Sequence, residues 1–472
     1  FNRTERATGS EFTLYREDWA FRTTYNYADR YFFEYNGAYN GSEKFSKDNR
    51  FAFFNSGAVG WMISEEKWWD RLRKWVPMLK FRYSYGEVGD DNVGDRWLYI
   101  TQWAYGGTSS LGLYPNDNAQ YHSPYTWYRE SRVGNEDVHW EKAVKQNLGI
   151  DYSFLNGLLT GSADFFWEDR KDILVAGSSR AVPSYFGVTP PTANLGKVRT
   201  HGYELEMRLN KTIGKDWRVW GNFNMTHAVN KIKEYDDPEL LPSYQKQAGY
   251  AIGQNRSWQT NGWANTWDQV IGMTIQDTND NQKLPGIYQV IDFNGDGIID
   301  SNDQAPYKYT STPQNTYSAT IGFDWKGLSV MCQFYGVTNV SRYVYFGSLE
   351  GHLDTVFDEG TYWTKYNLSG ADAPMPRWDS TPNTAYLNNA RFVYDGSYIR
   401  LKNAEIAYTW DATSWIKHLG LTSLKVYLNG NNLWSWSRMP DDRESNFAGT
   451  GNASQGAYPT VKRFNFGVKF SL

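Results

Sequence analysis

Alternation of apolar and polar residues with a period of two recurs along nearly the whole chain. In segment 203–210, Tyr, Leu, Met and Leu at odd positions alternate with Glu, Glu, Arg and Asn at even positions. Segment 464–472 repeats the pattern, with Phe, Phe, Val, Phe and Leu against Asn, Gly, Lys and Ser. Since successive side chains of a strand point to opposite faces, each segment has one apolar and one polar face. Charged residues on the polar face suit a water-filled lumen better than the packed core of a sandwich.

The pattern predicts roughly thirteen strands separated by connections that alternate between short and long. The strands are expected near 17–27, 30–41, 50–63, 77–87, 139–153, 158–171, 196–211, 216–230, 314–325, 328–339, 396–410, 421–433 and 461–472. Short turns are expected at 28–30, 156–157, 213–216 and 326–327, and long polar stretches near 87–138, 172–194, 230–312, 340–396 and 434–459. Short turns at one end and long loops at the other are typical of outer-membrane barrels, whose long loops lie outside the cell.

The predicted fold class is therefore all-β, a transmembrane antiparallel β-barrel. Bacterial barrels close with an even number of strands, whereas thirteen is odd. We expect further strands before Phe1, roughly nine in a plugged barrel of about 22 strands. Residues 1–472 would then be the C-terminal part of the barrel, and an exported protein would carry its signal peptide in the missing N-terminal part.

Composition agrees with this fold class. The 22 Trp, 35 Tyr and 25 Phe coexist with a mean hydropathy of −0.67, a combination expected for aromatic girdles around a polar lumen. A soluble β-rich glycan-binding protein would have similar totals. The net charge of −4 without a basic cluster argues against nucleic acid as a partner. A single cysteine, Cys332, excludes an intramolecular disulfide, and no apolar run of about 18 residues predicts a membrane-spanning helix.

Segment 64–75 departs from the strand pattern on the short-turn side. It predicts a short amphipathic helix with Trp68, Leu72 and Trp75 on one face and Ser64 as N-cap. We expect this helix to pack under the rim of the barrel; a partner-binding surface is the alternative.

A calcium-type loop is the one motif with recognisable chemistry. Residues 292–303 have oxygen-bearing side chains at loop positions 1, 3 and 5, glycine at 6 and isoleucine at 8, as an EF-hand loop requires. Position 12 is Asp in place of Glu, whose longer side chain reaches the ion more easily. We expect Ca²⁺ to fasten an extracellular loop over 285–303, with Mg²⁺ or an empty loop as alternatives. The predicted ligands are Asp292, Asn294, Asp296, Asp300, Asp303 and the carbonyl oxygen of Ile298.

No catalytic motif stands out, so we expect no enzyme activity. Aromatic residues in the long loops are the candidates for contact with a ligand, by stacking on sugars or holding apolar peptide side chains. Packing of the loops against each other is the alternative role. The candidates are Trp97, Trp103, Trp127, Trp258 and Trp263, with Tyr105 and Trp267 nearby in sequence.

Several segments, in order along the chain, resemble the SusC/RagA family of TonB-linked outer-membrane transporters. They are 137–151, 158–166, 194–205, 397–403 and 458–472, together with the calcium-type loop and Pro285–Gly286 before it. One departure is Leu472, where the family usually ends in an aromatic residue.

The resemblance implies an importer of glycans or peptides in the outer membrane of Gram-negative Bacteroidota. It implies a SusD-like surface lipoprotein as a lid, and coupling to TonB–ExbB–ExbD through an N-terminal plug and TonB box that this sequence does not include. Two other functions stay open. One is a SusC-like barrel that serves as a scaffold subunit of another envelope complex. The other is a secreted carbohydrate-active enzyme with a dockerin-like calcium segment, which predicts a duplicated calcium loop.

Overall fold

The computed structural model describes residues 2–6, 14–108, 126–277, 280–343, 363–368, 389–411, 414–418, 420–439 and 461–471. Within these residues the dominant element is one antiparallel sheet of 14 strands. With strands numbered along the chain, its members are β1 (Asn2–Arg6), β2 (Leu14–Tyr27), β3 (Tyr31–Ser42), β4 (Phe51–Met62), β5 (Met78–Asp90), β8 (Glu141–Phe154), β9 (Leu159–Val175), β10 (Ala193–Ile213), β11 (Trp217–Glu234), β18 (Asn315–Trp325), β19 (Leu328–Thr338), β22 (Tyr398–Asp411), β23 (Ser423–Ser437) and β24 (Arg463–Ser471).

Shorter elements lie in the connections. The short strands are β6 (Gln102–Thr108), β7 (Thr126–Arg132), β12 (Arg256–Trp258), β13 (Thr260–Ala264), β14 (Ile275–Gln276), β15 (Ile287–Val290), β16 (Ile298–Ile299), β17 (Gln304–Pro306), β20 (Ser341–Tyr343) and β21 (Val393–Asp395). The α-helices are α1 (Trp267–Ile271) and α2 (Ser414–His418). Single 3₁₀ turns occupy Ile63–Glu65, Lys67–Trp69, Gly177–Ser179, Ser184–Phe186, Asp280–Gln282, Ser301–Asp303 and Ala390–Phe392.

Each strand of the large sheet pairs with the next one along the chain, in the order β1-β2-β3-β4-β5-β8-β9-β10-β11-β18-β19-β22-β23-β24. All thirteen predicted strands are present. The short strand β1, which pairs with β2, was not predicted. With β1, the large sheet has 14 described strands. None of the helices in the described part of the chain is long and apolar enough to cross a membrane.

The sheet leaves its apolar face uncovered. On β24, Phe464 and Phe466 are 71% and 72% exposed, and the same face of the other strands carries exposed Trp19, Tyr203 and Ile321. In a soluble sandwich these rings would be buried between two sheets. The buried clusters lie instead at the long-loop end, for example around Phe45, Phe54, Leu98, Val138 and Trp140. This arrangement is expected for a sheet that faces lipid.

The polar face carries charged side chains that pair across neighbouring strands. Arg82 on β5 contacts Asp151 on β8 (Nε to Oδ2, 2.8 Å) and Asp164 on β9 (Nη2 to Oδ1, 3.1 Å). Gly149 lies directly beneath the guanidinium, since a Cβ there would be 2.7 Å from Arg82 Cζ. The glycine therefore makes room for an arginine that links three strands.

Two of the expected short turns, at 156–157 and 326–327, were assigned two residues each. Lys326 and Gly327 form such a turn, with positive φ angles of 45° and 90° between paired Trp325 and Leu328. The prediction for Asn156–Gly157 was wrong in length, because the turn spans 155–158 between paired Phe154 and Leu159.

The predicted helix over 64–75 was wrong. The segment forms two single 3₁₀ turns and further turns linked by i to i+3 hydrogen bonds, as from Leu72 N to Trp69 O (2.8 Å). Ser64 lies inside the first turn and caps nothing. Glu66 interrupts the helix because its backbone is extended (φ −76°, ψ 142°). In this conformation the carboxylate of Glu66 accepts hydrogen bonds from Tyr31 and Trp61.

Replacement of Gly327 by Ala in the full-length protein should destabilise the barrel by about 1–3 kcal/mol. The residue has φ +90°, and an added Cβ would be 2.4 Å from the carbonyl oxygen of Thr409. Gly214→Ala is the matched control, because φ is +66° there but no atom lies within 4 Å of the added Cβ. The folded barrel runs as a separate band on gels until the sample is heated. The temperature at which this band disappears should fall more for Gly327→Ala than for Gly214→Ala. Equal shifts would contradict the role of the clash.

Candidate functional site

The long connection between β11 and β18 folds into a small module of its own. It contains three two-stranded sheets, of which β12–β17 and β13–β15 are antiparallel and β14–β16 is parallel. α1 begins at a capping box formed by Thr266 and Gln269. Five buried apolar residues of the module form one cluster, namely Ala264, Val270, Ile287, Val290 and Ile299. A hydrophobic core thus supports the calcium-type loop within an external connection.

An ion pair closes the module on the side of β14. Lys283 is buried and donates a hydrogen bond from Nζ to Thr274 O (2.8 Å) while it pairs with Asp280. Partial burial of Asp280 disfavours its charged form. Hydrogen bonds from Lys283 and from Gln276 N outweigh that effect and lower the pKa of Asp280. Asp280 is therefore charged at neutral pH, and its contact with Lys283 fixes the start of the segment that leads to the loop.

Asp292 organises the first half of the calcium-type loop. Its Oδ1 accepts a hydrogen bond from Gly295 N (2.7 Å), and its Oδ2 accepts one from Gly297 N (2.8 Å). Both glycines have positive φ angles, 76° and 90°, which residues with a Cβ rarely adopt. The sharp turn that a calcium loop needs at position 6 is thus present at Gly297.

Asp303 joins the two ends of the loop. Its side chain is fully buried, and its carboxylate accepts hydrogen bonds from the backbone of Phe293 (2.7 Å), Asn294 (3.3 Å) and Asp300 (2.8 Å). The last of these belongs to the capping box of the Ser301–Asp303 turn. Asp303 is therefore a structural fastener of the loop in addition to its predicted role as a ligand.

The other predicted ligands make short local hydrogen bonds. Asn294 Oδ1 accepts from Asp296 N (3.0 Å), Asp296 Oδ1 accepts from Ile298 N (2.9 Å), and Asp300 Oδ1 accepts from Asn302 N (2.6 Å). In the described part of the chain, no three His, Cys, Asp or Glu side chains converge as metal ligands. The oxygen donors and the turn at Gly297 fit Ca²⁺, which prefers hard oxygen ligands. In this structure, however, the carboxylates accept hydrogen bonds from backbone amides of the loop.

Two of the predicted ligand-contacting tryptophans hold the module together. Trp258 donates a hydrogen bond from Nε1 to Asp300 O (2.7 Å) and packs against the buried cluster. Trp263 stacks on the buried Tyr288 with ring centroids 4.0 Å apart. Both contacts correspond to loop packing, the alternative considered from the sequence.

The remaining tryptophans lie in the connection between β5 and β8. Trp97 is half-buried with the Arg96 guanidinium 4.8 Å from its ring centroid, whereas Trp103 on β6 is 61% exposed. Trp127 lies on β7, and its side chain is outside the described residues. The exposed ring of Trp103 is thus the best placed of the described candidates to meet a ligand.

Sequence reasoning did not single out two residues that support the loop. Tyr244 donates from its hydroxyl to Asn302 O (2.7 Å), and Gln245 donates to the same carbonyl (2.9 Å). They lie 58 and 57 residues before Asn302, so no local pattern connects them with the loop.

The polar face of the sheet has a concave region of its own. A cavity of about 580 Å³ opens over β3, β4, β5, β8, β9 and β10, and its aromatic lining residues are Tyr85, Phe166 and Trp167. The small residues Gly86 and Gly57 widen it. Its charged lining residues are Glu34, Glu87, Lys145, Glu168 and Glu204. The arrangement offers hydrogen-bonding groups to a polar molecule that passes along this face.

Replacement of Asp303 by Ala should loosen the module, because three backbone N–H groups lose a charged acceptor. We expect a loss of about 2–4 kcal/mol in local stability and faster proteolysis within 232–312 of the full-length protein. Asp268→Ala is the control, since Asp268 is an exposed residue of the same module. Equal cleavage rates in the two variants would show that Asp303 does not fasten the loop.

Comparison with known proteins identifies the family of this chain and two of its relatives. Residues 113–433 match the family described as TonB dependent receptor-like, beta-barrel. The TonB-dependent receptor P3 of Formosa agariphila is 26% identical over 96% of this chain and 45% of its own length. The TonB-dependent receptor SusC of Bacteroides thetaiotaomicron is 26% identical over 82% of this chain and 37% of its own length.

Solved structures give the same result for the fold. The RagAB peptide transporter covers 97% of this chain and 48% of its own, with 18% identity and a TM-score of 0.69. The RagAB peptide importer in its "open-open" state covers 98% and 47%, with 17% identity and a TM-score of 0.72. At such low identity the likeness concerns the fold alone.

These matches confirm the predicted fold class, an antiparallel transmembrane β-barrel, and the resemblance to the SusC/RagA type. The chain spans less than half the length of the relatives described above. Because the family match extends over more than half of the chain, this protein belongs to the TonB dependent receptor-like, beta-barrel family.

Proposed function

We propose that this chain forms the wall of an importer in the outer membrane of a Gram-negative bacterium of the Bacteroidota, driven through TonB–ExbB–ExbD. The family match carries the proposal. Two features of the sheet support it: an uncovered apolar face suited to lipid, and an opposite face lined by charged and amide side chains. The chemistry proposed is binding and passage, without catalysis.

The proposed cargo is an oligomeric nutrient, either a glycan or a peptide. Similarity to SusC and likeness in fold to the RagAB peptide transporter support an oligomeric cargo. They do not distinguish a glycan from a peptide. The long connections at one end of the sheet, with the exposed Trp103, would form the outer capture surface. The proposed partner there is a SusD-like surface lipoprotein that covers the mouth of the barrel.

We further propose that the calcium-type loop binds Ca²⁺ in a structural role. Asp292, Asn294, Asp296 and Asp300, with the Ile298 carbonyl, would supply oxygens, and Asp303 would add one if its carboxylate turns from the amides. A bound ion would neutralise the carboxylates that crowd this loop and fasten it to the module. The donor set and the positive φ angle of Gly297 support this assignment.

Gene deletion in the native host should test the transport proposal. We expect the deletion strain to lose uptake of one class of labelled oligomer, from a mixture of peptides and oligosaccharides, and to regain it with the full-length gene. Disruption of TonB should abolish the restored uptake. A variant with Glu168→Gln and Glu204→Gln tests the cavity, and Asp268→Ala is its control. Unchanged uptake after deletion would overturn the importer and favour the scaffold subunit.

Terbium luminescence should test the calcium proposal in the purified full-length protein. Trp258 lies beside the loop, so it should sensitise bound Tb³⁺, and Ca²⁺ should displace the lanthanide. Asp292→Asn combined with Asp296→Asn should weaken Ca²⁺ competition at least about tenfold, because charge in the ligand set controls affinity. Asp268→Asn should have no effect. Loop-independent luminescence would mean that the ion binds elsewhere.

A further inference from the structure

The connection between β4 and β5 exposes an unusual amount of apolar surface for a short turn. Trp68 and Trp75 are each 60% exposed, and Leu72 is 47% exposed. The expectation that these side chains pack under the rim is therefore not met. Segment 67–75, termed here the foot, lies at the short-turn end of the sheet, which is the periplasmic end of an outer-membrane barrel.

The foot leaves the sheet on its apolar side. Glu66, the residue before it, accepts hydrogen bonds on Oε1 from Tyr31 Oη (2.7 Å) and from Trp61 Nε1 (3.1 Å). Tyr31 and Trp61 are paired in register on β3 and β4, and both rings are exposed on the apolar face. The foot is therefore continuous with the surface that faces lipid.

Further hydrogen bonds hold the foot in a fixed shape. Trp69 donates from Nε1 to Val76 O (3.0 Å), and Arg73 donates from Nη2 to Ser64 O (2.6 Å). The carbonyl of Trp75 accepts from Leu155 N (2.7 Å) in the neighbouring turn. The exposed rings of the foot are thus presented by a braced backbone.

Its charges are unbalanced. The acidic side chains of this connection are all engaged by arginines: Glu65 and Asp70 lie within 3.8 Å and 3.5 Å of Arg73, and Glu66 lies 3.9 Å from Arg30. Three exposed cations make no ion pair with any described residue, namely Lys67, Arg71 and Lys74. Exposed rings beside uncompensated cations are the chemistry of a helix or turn that lies in a membrane interface.

We propose that the foot lies in the periplasmic leaflet of the outer membrane. Trp68, Leu72 and Trp75 enter the boundary between headgroups and acyl chains, and Lys67, Arg71 and Lys74 contact the phosphates of anionic phospholipid. The inference rests on the proposed membrane location of the barrel. A periplasmic protein as occupant is an alternative result of the test.

Fluorescence quenching in vesicles tests this proposal with the full-length protein. A fluorophore is attached at Leu72→Cys in a background without other cysteines, including Cys332→Ser, in phosphatidylcholine vesicles with 30% phosphatidylglycerol (about that fraction suffices for an anionic surface). Lys215→Cys, in a short turn at the same end of the sheet, is the matched control. Spin-labelled lipid should quench the label at position 72 at least about twofold more than the label at 215, and iodide should show the reverse order.

A further label at position 466 and the addition of a periplasmic extract separate the possible failures. Phe466→Cys reports on the apolar face of β24, so lipid quenching there shows that the barrel is in the membrane. Quenching at 466 without quenching at 72 overturns the foot alone, whereas its absence at both positions overturns the membrane location as well. If the label at position 72 is shielded from iodide only after addition of a periplasmic extract, the foot binds a periplasmic protein, and the lipid proposal is overturned.

The cations are tested separately. Replacement of Lys67, Arg71 and Lys74 by Gln should remove the dependence of quenching at position 72 on phosphatidylglycerol, with the label at 466 unchanged. A dependence that persists in this variant would contradict the contact with lipid phosphates.

Discussion

The backbone hydrogen-bond ladder of the large sheet is the constraint on which the rest of this molecule depends. In lipid no water is available to pair an exposed N–H or C=O group, so each spanning strand must satisfy its backbone on its neighbours. The register then decides the chemistry of both faces. Tyr203 lies between Phe165 and His227, while the next residue, Glu204, lies between Asp164 and Thr226. A slip of one residue would exchange these two sets.

Hydrophobic burial has a different place here from that in a soluble protein. Most apolar side chains on the outer face of the strands are exposed, and the buried clusters lie at the long-loop end, where strand ends such as Phe54, Val337 and Tyr398 meet the connections. One surrounds Phe45 and Trp140, one supports the calcium-type loop, and one surrounds Val340 and Tyr398. Because the cluster below the calcium-type loop consists of residues of the connection itself, that connection can form a small folded module beyond the ends of β11 and β18. The register shifts of β10 and β22 lie near the ends of these strands that lead into long connections, whereas the shift between Gln333 and Phe334 lies inside β19.

The sequence predicted those parts of the structure that depend on local pattern. Alternation located thirteen strands, and the short turn expected at Lys326–Gly327 is present between the strands on either side. Prediction failed where a distant residue decides the conformation. Glu66 breaks the expected helix because Tyr31, 35 positions away, captures its carboxylate. Trp258 is a structural residue because its partner carbonyl lies 42 positions later. Short-range periodicity carries no information about such contacts.

The polar face combines many charges with little uncompensated charge. Arg22 pairs with Glu34, Lys145 with Glu168, and Lys425 with Glu405, each between neighbouring strands. Exposed pairs of this kind contribute little to stability in a water-filled space. Their consequence is electrostatic, because a wall whose cations and anions neutralise each other does not hold a charged molecule tightly at any one point. Conduction requires contacts that are favourable enough for entry and weak enough for exit. For the importer proposed above, a wall of paired charges and amides would suit a cargo that is recognised through distributed hydrogen bonds.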